Sequence, residues 1–393
     1  HFLTLQQPTA SPAPRDEGLT FQAEQVTSHA GAWAKSAILR PALPEGEGTA
    51  STGAPPAGAD EAPTIILDTQ GKVALGGEGG RTFAAPGRVS NPEGVLPIDW
   101  NDDYRPDLVL AGNGLRLYQQ SARGEWTDVT ARAGLPASVT GAAYTGAWAA
   151  DFDVDGDLDV ILGAAQGAPL ALRNNGDGTW ATARPFPGMS GLRDFVWADL
   201  DGDGDPDVAG LDAASRVRVY LNERGGHFTE AGIGEAGGQA LALSVADTDR
   251  AGALDLIVLR PGGAVEAVRS ESPERWTRAE LTRWEEAPGS GARLLWGDLD
   301  NNGGLDLIAS GPGGTRIWLR DEQWRFQPLP SPLDAVVFDV ADLNGDGRLD
   351  LVGTANGKPV RLLNQGTKQY HWQGLRPRNT KVREGDQKIN AFG

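Results

Sequence analysis

The chain has 393 residues, 39% of them hydrophobic, enough for a packed core in one large all-β domain or two ordinary ones. A formal charge of −18 with no basic stripe excludes nucleic acid as a partner. The absence of cysteine excludes a disulfide scaffold, a thiolate metal site and thiol catalysis, and no apolar run approaches the roughly 18 residues of a membrane-spanning segment.

Residues 1–62 open on His1, which reads as a processed mature form or a fragment, and run into a Gly/Ala/Pro-rich low-complexity stretch near residues 45–62. This N-terminal segment is expected to supply part of the first structural unit and to act as a linker. Thr64-Ile-Ile-Leu, Lys72-Val-Ala-Leu and Arg81-Thr-Phe then read as three short strands.

From residue 99 one phrase recurs: Asp-x-Asp/Asn-x-Asp-Gly-x-x-Asp, followed by a short apolar run. Asp99-Trp-Asn101-Asp-Asp103-Tyr-Arg-Pro-Asp107 keeps the spacing without the glycine. Asp151-Phe-Asp153-Val-Asp155-Gly-Asp-Leu-Asp159 and Asp199-Leu-Asp201-Gly-Asp203-Gly-Asp-Pro-Asp207 are complete. Asp247-Thr-Asp249-Arg-Ala251-Gly-Ala-Leu-Asp255 has Ala at the fifth position, where an oxygen ligand is expected. Asp298-Leu-Asp300-Asn-Asn302-Gly-Gly-Leu-Asp306 and Asp342-Leu-Asn344-Gly-Asp346-Gly-Arg-Leu-Asp350 each replace one Asp by Asn.

Successive copies begin 52, 48, 48, 51 and 44 residues apart, about the length of a four-stranded propeller blade. Each copy follows an apolar strand, which in five of them ends in a small residue (Ala150, Ala198, Ala246, Gly297, Ala341). Each precedes a second strand, a Gly-rich turn, a third strand and an aromatic-led fourth. Trp126, Trp180, Phe228, Trp276 and Trp324 lead the fourth strands. The fold is therefore read as an all-β propeller with an Asp-rich loop between strands 1 and 2 of most blades. Seven blades are expected, the first lacking the loop, with six as the alternative. The propeller is bounded at 63–373, and 374–393 forms a tail.

Carboxylates at loop positions 1, 3, 5 and 9 converge only if the chain turns tightly, which Gly at position 6 permits. An all-oxygen set without His or Cys suits Ca²⁺, whose six to eight ligands tolerate irregular geometry better than Mg²⁺ does. An EF-hand is excluded, because its twelfth position needs a bidentate Glu where Leu162 and Gly210 stand here. Five or six Ca²⁺ ions are expected, the Asp247 loop being the doubtful one, and six would bring the charge from −18 to −6.

These loops resemble the FG-GAP/VCBS repeat family, over residues 64–373. The tail, His371-Trp-Gln-Gly-Leu-Arg-Pro-Arg with Gly385-Asp-Gln-Lys-Ile-Asn-Ala-Phe-Gly393, is similar to the opening of the ASPIC/UnbV domain of proteins related to cartilage acidic protein. The resemblance implies a calcium-loop propeller and an extracytoplasmic site of action: periplasmic, cell-surface or secreted. It also implies a binding or adhesion role toward a protein or glycan.

Catalytic motifs are absent from the sequence: there is no HExxH and no GxSxG. The single GxGxxG, Gly232 to Gly237, follows a strand without leading into a helix and reads as a turn. The chain is thus expected not to be an enzyme. The alternatives are a polysaccharide-lyase-like enzyme on the same fold, or an exported subunit of a larger complex. Such an enzyme would draw its residues from 1–62 and the 84–98 connection. Trp33, Trp100 and Trp284 fall outside the aromatic register and are expected to be exposed contacts.

Overall fold

The computed structural model describes residues 19–366, apart from 26–32, 39–63, 69–70, 76–81, 85–86, 90–91, 104, 166, 273–274 and 287. The ASPIC/UnbV-like tail, His1, His29 and His371 lie outside the described residues.

Blade 3 shows how a repeat folds. Gly146–Ala150, Asp159–Gly163, Leu170–Asn174 and Trp180–Ala183 pair in that order as an antiparallel meander. The second strand is buried along its whole length, which is why its sequence is a continuous apolar run instead of an alternation. The described strands form seven four-stranded sheets, and six of these carry an Asp loop. The sheet without one (blade 1) consists of Trp33–Ile38, Thr64–Asp68, Val73–Leu75 and Thr82–Phe83. Blades 2 to 6 follow in chain order. Blade 7 is closed from a distance: its first three strands are Val336–Ala341, Asp350–Ala355 and Lys358–Asn364, and its fourth is Phe21–Gln25. Phe21 pairs with Asn364 and Gln25 with Val360.

The core is distributed between neighbouring blades. Ile161, Phe195, Val208 and Tyr220, for example, form one cluster between blades 3 and 4. There Phe186 meets Phe228 edge-on at 5.2 Å and Tyr220 at 5.6 Å. Each fully buried large apolar side chain contributes about 1.5–3 kcal/mol. The small residue closing the first strand of blade 6 sits where space runs out: a Cβ on Gly297 would lie 3.0 Å from Leu349 Cδ1 and 3.1 Å from Val340 Cγ1, both in blade 7.

The first strands face the axis. At their starting ends, Arg293 of blade 6 reaches Glu93, just ahead of blade 2, at 3.4 Å. Its guanidinium lies over the Phe338 ring at 4.1 Å. Asp194 accepts hydrogen bonds from the N–H groups of Phe195 (2.9 Å) and Leu243 (2.8 Å). Burial, with a smaller push from Glu93, raises its pKa to about 7.

Candidate metal centres

Each Asp loop links the end of the first strand to the start of the second. In the five loops where positions 4 and 6 are both described, both have positive φ, as in Val154 (58°) and Gly156 (94°), or Gly202 (81°) and Gly204 (93°). The position-6 glycines suit that conformation. Position 4 takes it also with non-glycine residues, namely Asp102, Val154, Arg250 and Asn301. The double reversal turns the N–H groups inward onto the first carboxylate. Asp151 accepts from Asp155 (3.1 Å) and Gly156 (3.0 Å), and Asp199 from Gly202 (2.8 Å) and Gly204 (3.1 Å). The position-1 Asp is therefore the organiser of the turn.

The ninth-position Asp closes it. Asp107, Asp159, Asp207, Asp255, Asp306 and Asp350 are all buried. Asp159 Oδ1 accepts from Asn174 N–H at 2.7 Å and Oδ2 from Phe152 N–H at 3.0 Å, tying the third strand to the loop. Asp207, Asp306 and Asp350 repeat both bonds. Burial outweighs these donors: the pKa values of Asp107, Asp159 and Asp306 are raised to about 8, and those of Asp207 and Asp350 to about 6. Negative charge collects here faster than the backbone dipoles compensate it. Moreover, Asp153 Oδ1 is a buried oxygen that accepts no hydrogen bond from another residue. Orphaned anionic oxygens in an all-oxygen set fit a hard cation.

The six loops differ in how far they gather their ligands. Carboxylate oxygens lie within 4.8 Å of one another for Asp151, Asp153 and Asp159, for Asp199, Asp201 and Asp203, and for Asp298, Asp300 and Asp306. Asp155 stands outside its triad, exposed, with its Oδ1 accepting from Asp157 N–H at 3.0 Å; Asp207 stands outside the second. Asn302 turns its side-chain N–H to Arg320 O at 2.7 Å. In blade 2, Asn101 Nδ2 donates to Asp103 (3.2 Å), which also pairs with Arg105 (3.2 Å) beside Asp99 and Asp107. Blade 7 repeats this with Asn344 donating to Asp346 at 3.1 Å and Arg348 pairing with Asp346, near Asp342 and Asp350. In blade 5, Asp247, Asp249 and Asp255 face an arginine, Arg269.

Three features were missed in the sequence. Asn174 Nδ2 donates to Trp100 O (2.7 Å) and Asn364 Nδ2 to Leu299 O (2.8 Å). The end of a third strand thereby holds the second residue of the preceding blade's loop. Arg320 does the same toward Thr248 O. The recurrence of Asn174, Asn222 and Asn364 at the ends of third strands was the available signal. The second feature is the axial cluster of Glu93, Asp194 and Arg293. The third concerns aromatics. Trp100 and Trp284 are buried, 6% and 3% exposed, contrary to expectation. Trp100 packs edge-on against Trp180 at 5.8 Å, because loop position 2 points back between blades. Trp33's side chain lies outside the described residues. Trp324 precedes its strand, and Phe326 begins it.

No curated protein matches the chain by sequence. In structure it is similar to an Agrocybe aegerita lectin described for specific recognition of non-reducing terminal N-acetylglucosamine. The two share 17% identity, 88% of this chain and 94% of that chain, with a TM-score of 0.53. It is also similar to YCF48 bound to D1 peptide (11% identity, 91% and 99% covered, TM-score 0.50) and to BBS1N in complex with ARL6DN (12%, 89% and 98%, 0.48). At these identities the likeness is one of fold. FG-GAP-like repeats match residues 99–162, 151–210, 199–258 and 298–353, more than half of the sequence, and the chain belongs to the FG-GAP-like repeat family.

Proposed function

We propose that the protein is a non-catalytic binding or scaffolding propeller that works outside the cytoplasm, stabilised by Ca²⁺ in its Asp loops, with a protein or glycan as partner. The observation that carries the calcium reading is the gathered set of Asp151, Asp153 and Asp159, in which the buried Asp153 Oδ1 is left unsatisfied. Asp151, Asp153 and Asp159 in blade 3, Asp199, Asp201 and Asp203 in blade 4, and Asp298, Asp300 and Asp306 in blade 6 would hold the ion. Its chemistry there is charge compensation of a folded turn.

For the partner, the face away from the loops offers a groove of about 870 Å³ between blades 2 and 3, lined by Ser138, Tyr144, Thr182 and Arg184 among others. Recognition of non-reducing terminal N-acetylglucosamine by the Agrocybe aegerita lectin on the same fold makes sugars the first class to test. A glycan array with calcium and with chelator, alongside an Arg184→Ala variant, tests the binding. Selective retention lost in Arg184→Ala supports the groove. Uniform absence of retention turns the search to protein partners.

A second reading, a carbohydrate-active enzyme, rests on the axial cluster. There Glu93, from the 84–98 connection, meets Arg293 beside Asp194, whose raised pKa suits a general acid. A reducing-end assay on the retained glycans decides it: new sugar ends, lost in Glu93→Gln and Asp194→Asn, would overturn the binding-only reading.

A further inference from the structure

Blade 5 departs from its neighbours in a way that balances. Its loop has lost the fifth-position oxygen to Ala251. Into the space between the remaining carboxylates comes Arg269, from the third strand Ala264–Ser272 of the same blade. Its Nε donates to Asp255 Oδ1 at 2.5 Å, and its Nη2 to Asp255 Oδ2 at 2.9 Å. The same Nη2 lies 3.2 Å from Asp249 Oδ2 and 3.0 Å from the Thr248 hydroxyl. Positions 3 and 9 of the loop, together with the position-2 side chain, thus share one guanidinium.

The strand register identifies the change. Leu172 pairs with Val160, and Val268 pairs with Leu256, each partner following its loop's ninth-position Asp. The next residues are Arg173 in blade 3 and Arg269 in blade 5. Arg173 is half exposed and only 3.9 Å from Asp153. Arg269 turns onto the loop instead, its guanidinium engaging both oxygens of Asp255. Blade 6 adds a second cation, Arg320, which donates to Thr248 O and packs over Trp324, whose other neighbour is Arg250 of the blade 5 loop. A planar fork with fixed donors satisfies a carboxylate as a bidentate partner, a geometry Lys does not reproduce.

We infer that the Asp247–Asp255 loop takes no metal, and that the guanidinium of Arg269 serves there as its built-in cation. This rests on the calcium reading for the other loops, and two measurements separate the failure of one from the failure of the other. The first is the metal count of the full chain by native mass spectrometry at saturating Ca²⁺. Wild type is expected to stop at five or fewer, and an Ala251→Asp/Arg269→Gln double variant to take one more. A sixth ion in wild type, or a folded double variant with an unchanged count, overturns the inference. Wild type without any Ca²⁺ overturns the calcium reading instead. The second is thermal melting in excess chelator, where metal plays no part. Arg269→Gln is expected to melt a few degrees below wild type, while Arg173→Gln melts with it. Coincident melts for Arg269→Gln and wild type remove the role of Arg269 whatever the metal count.

Discussion

The loops of blades 3 and 5 are one turn with two different centres, an open set of carboxylates in blade 3 and an arginine in blade 5. Both cross from first to second strand in nine residues, both set positions 4 and 6 at positive φ, and both bury the ninth Asp. In blade 3, Asp151, Asp153 and Asp159 draw their oxygens together and leave Asp153 Oδ1 unsatisfied. In blade 5, Asp255 accepts two hydrogen bonds from Arg269. The turn therefore specifies a positive charge at its centre without specifying whether the solution or the chain supplies it. A charge supplied by the chain is permanent, whereas one supplied by the solution makes folding depend on calcium concentration.

The largest expected effect is chelation. An ion held a thousandfold above its dissociation constant contributes about 4 kcal/mol per loop. Excess chelator should therefore lower the melting temperature strongly, and a melt unmoved by chelator breaks the comparison at its root. Asp159→Ala comes next. It orphans the buried amides of Phe152 and Asn174, at about 1–3 kcal/mol each, and removes a ligand, so a loss of about 4–6 kcal/mol in calcium is expected from denaturant melts. Asp255→Ala should also destabilise, but by the same amount with and without calcium; a calcium-dependent loss there would make the two loops alike.

A carboxylate far from the rim serves as a control. The folded-state pKa of Asp194, about 7, lies above its ordinary value of 3.8, so the unfolded chain releases this proton first. Its contribution favours folding at low pH and is lost as pH rises from about 4 to 7, an effect that linkage caps at about 4 kcal/mol. Melts across that range, in constant calcium, should show the slope flattened in Asp194→Asn. An unchanged slope assigns it elsewhere. Smallest is Val154→Asn: a half-exposed β-branched residue at φ 58° is strained, and blade 6 places Asn301 at the same position. A gain of about 1 kcal/mol is expected, and a loss would show that the valine makes contacts that outweigh its strain.

Much of this was legible in the sequence because it repeats. Period, strand order within a blade and the spacing of the loop carboxylates all follow from Asp, Gly and apolar runs close together in the chain. What escaped depends on residues brought together across blades. Trp100 reads as exposed until Trp180 of the next blade covers it. Glu93 and Arg293 are 200 residues apart and meet only across the axis. Phe21–Gln25, a short and mostly exposed strand in a polar segment, reveals itself only as the partner of Lys358–Asn364.

That last pairing decides how the molecule bears load. Phe21 lies opposite Asn364, and Gln365 N–H reaches back to Thr20 O at 2.9 Å, so both flanking segments leave the sheet at the same end. Asn364 N–H also bonds Asp350, which places that end at the rim of the Asp loops. Tension applied through the two flanks would peel the closing strand away pair by pair, without shearing all five pairs at once. The ring is mechanically soft at this seam, and any tether through either flank holds the molecule by the rim of its Asp loops and leaves the opposite face, with the groove between blades 2 and 3, turned outward.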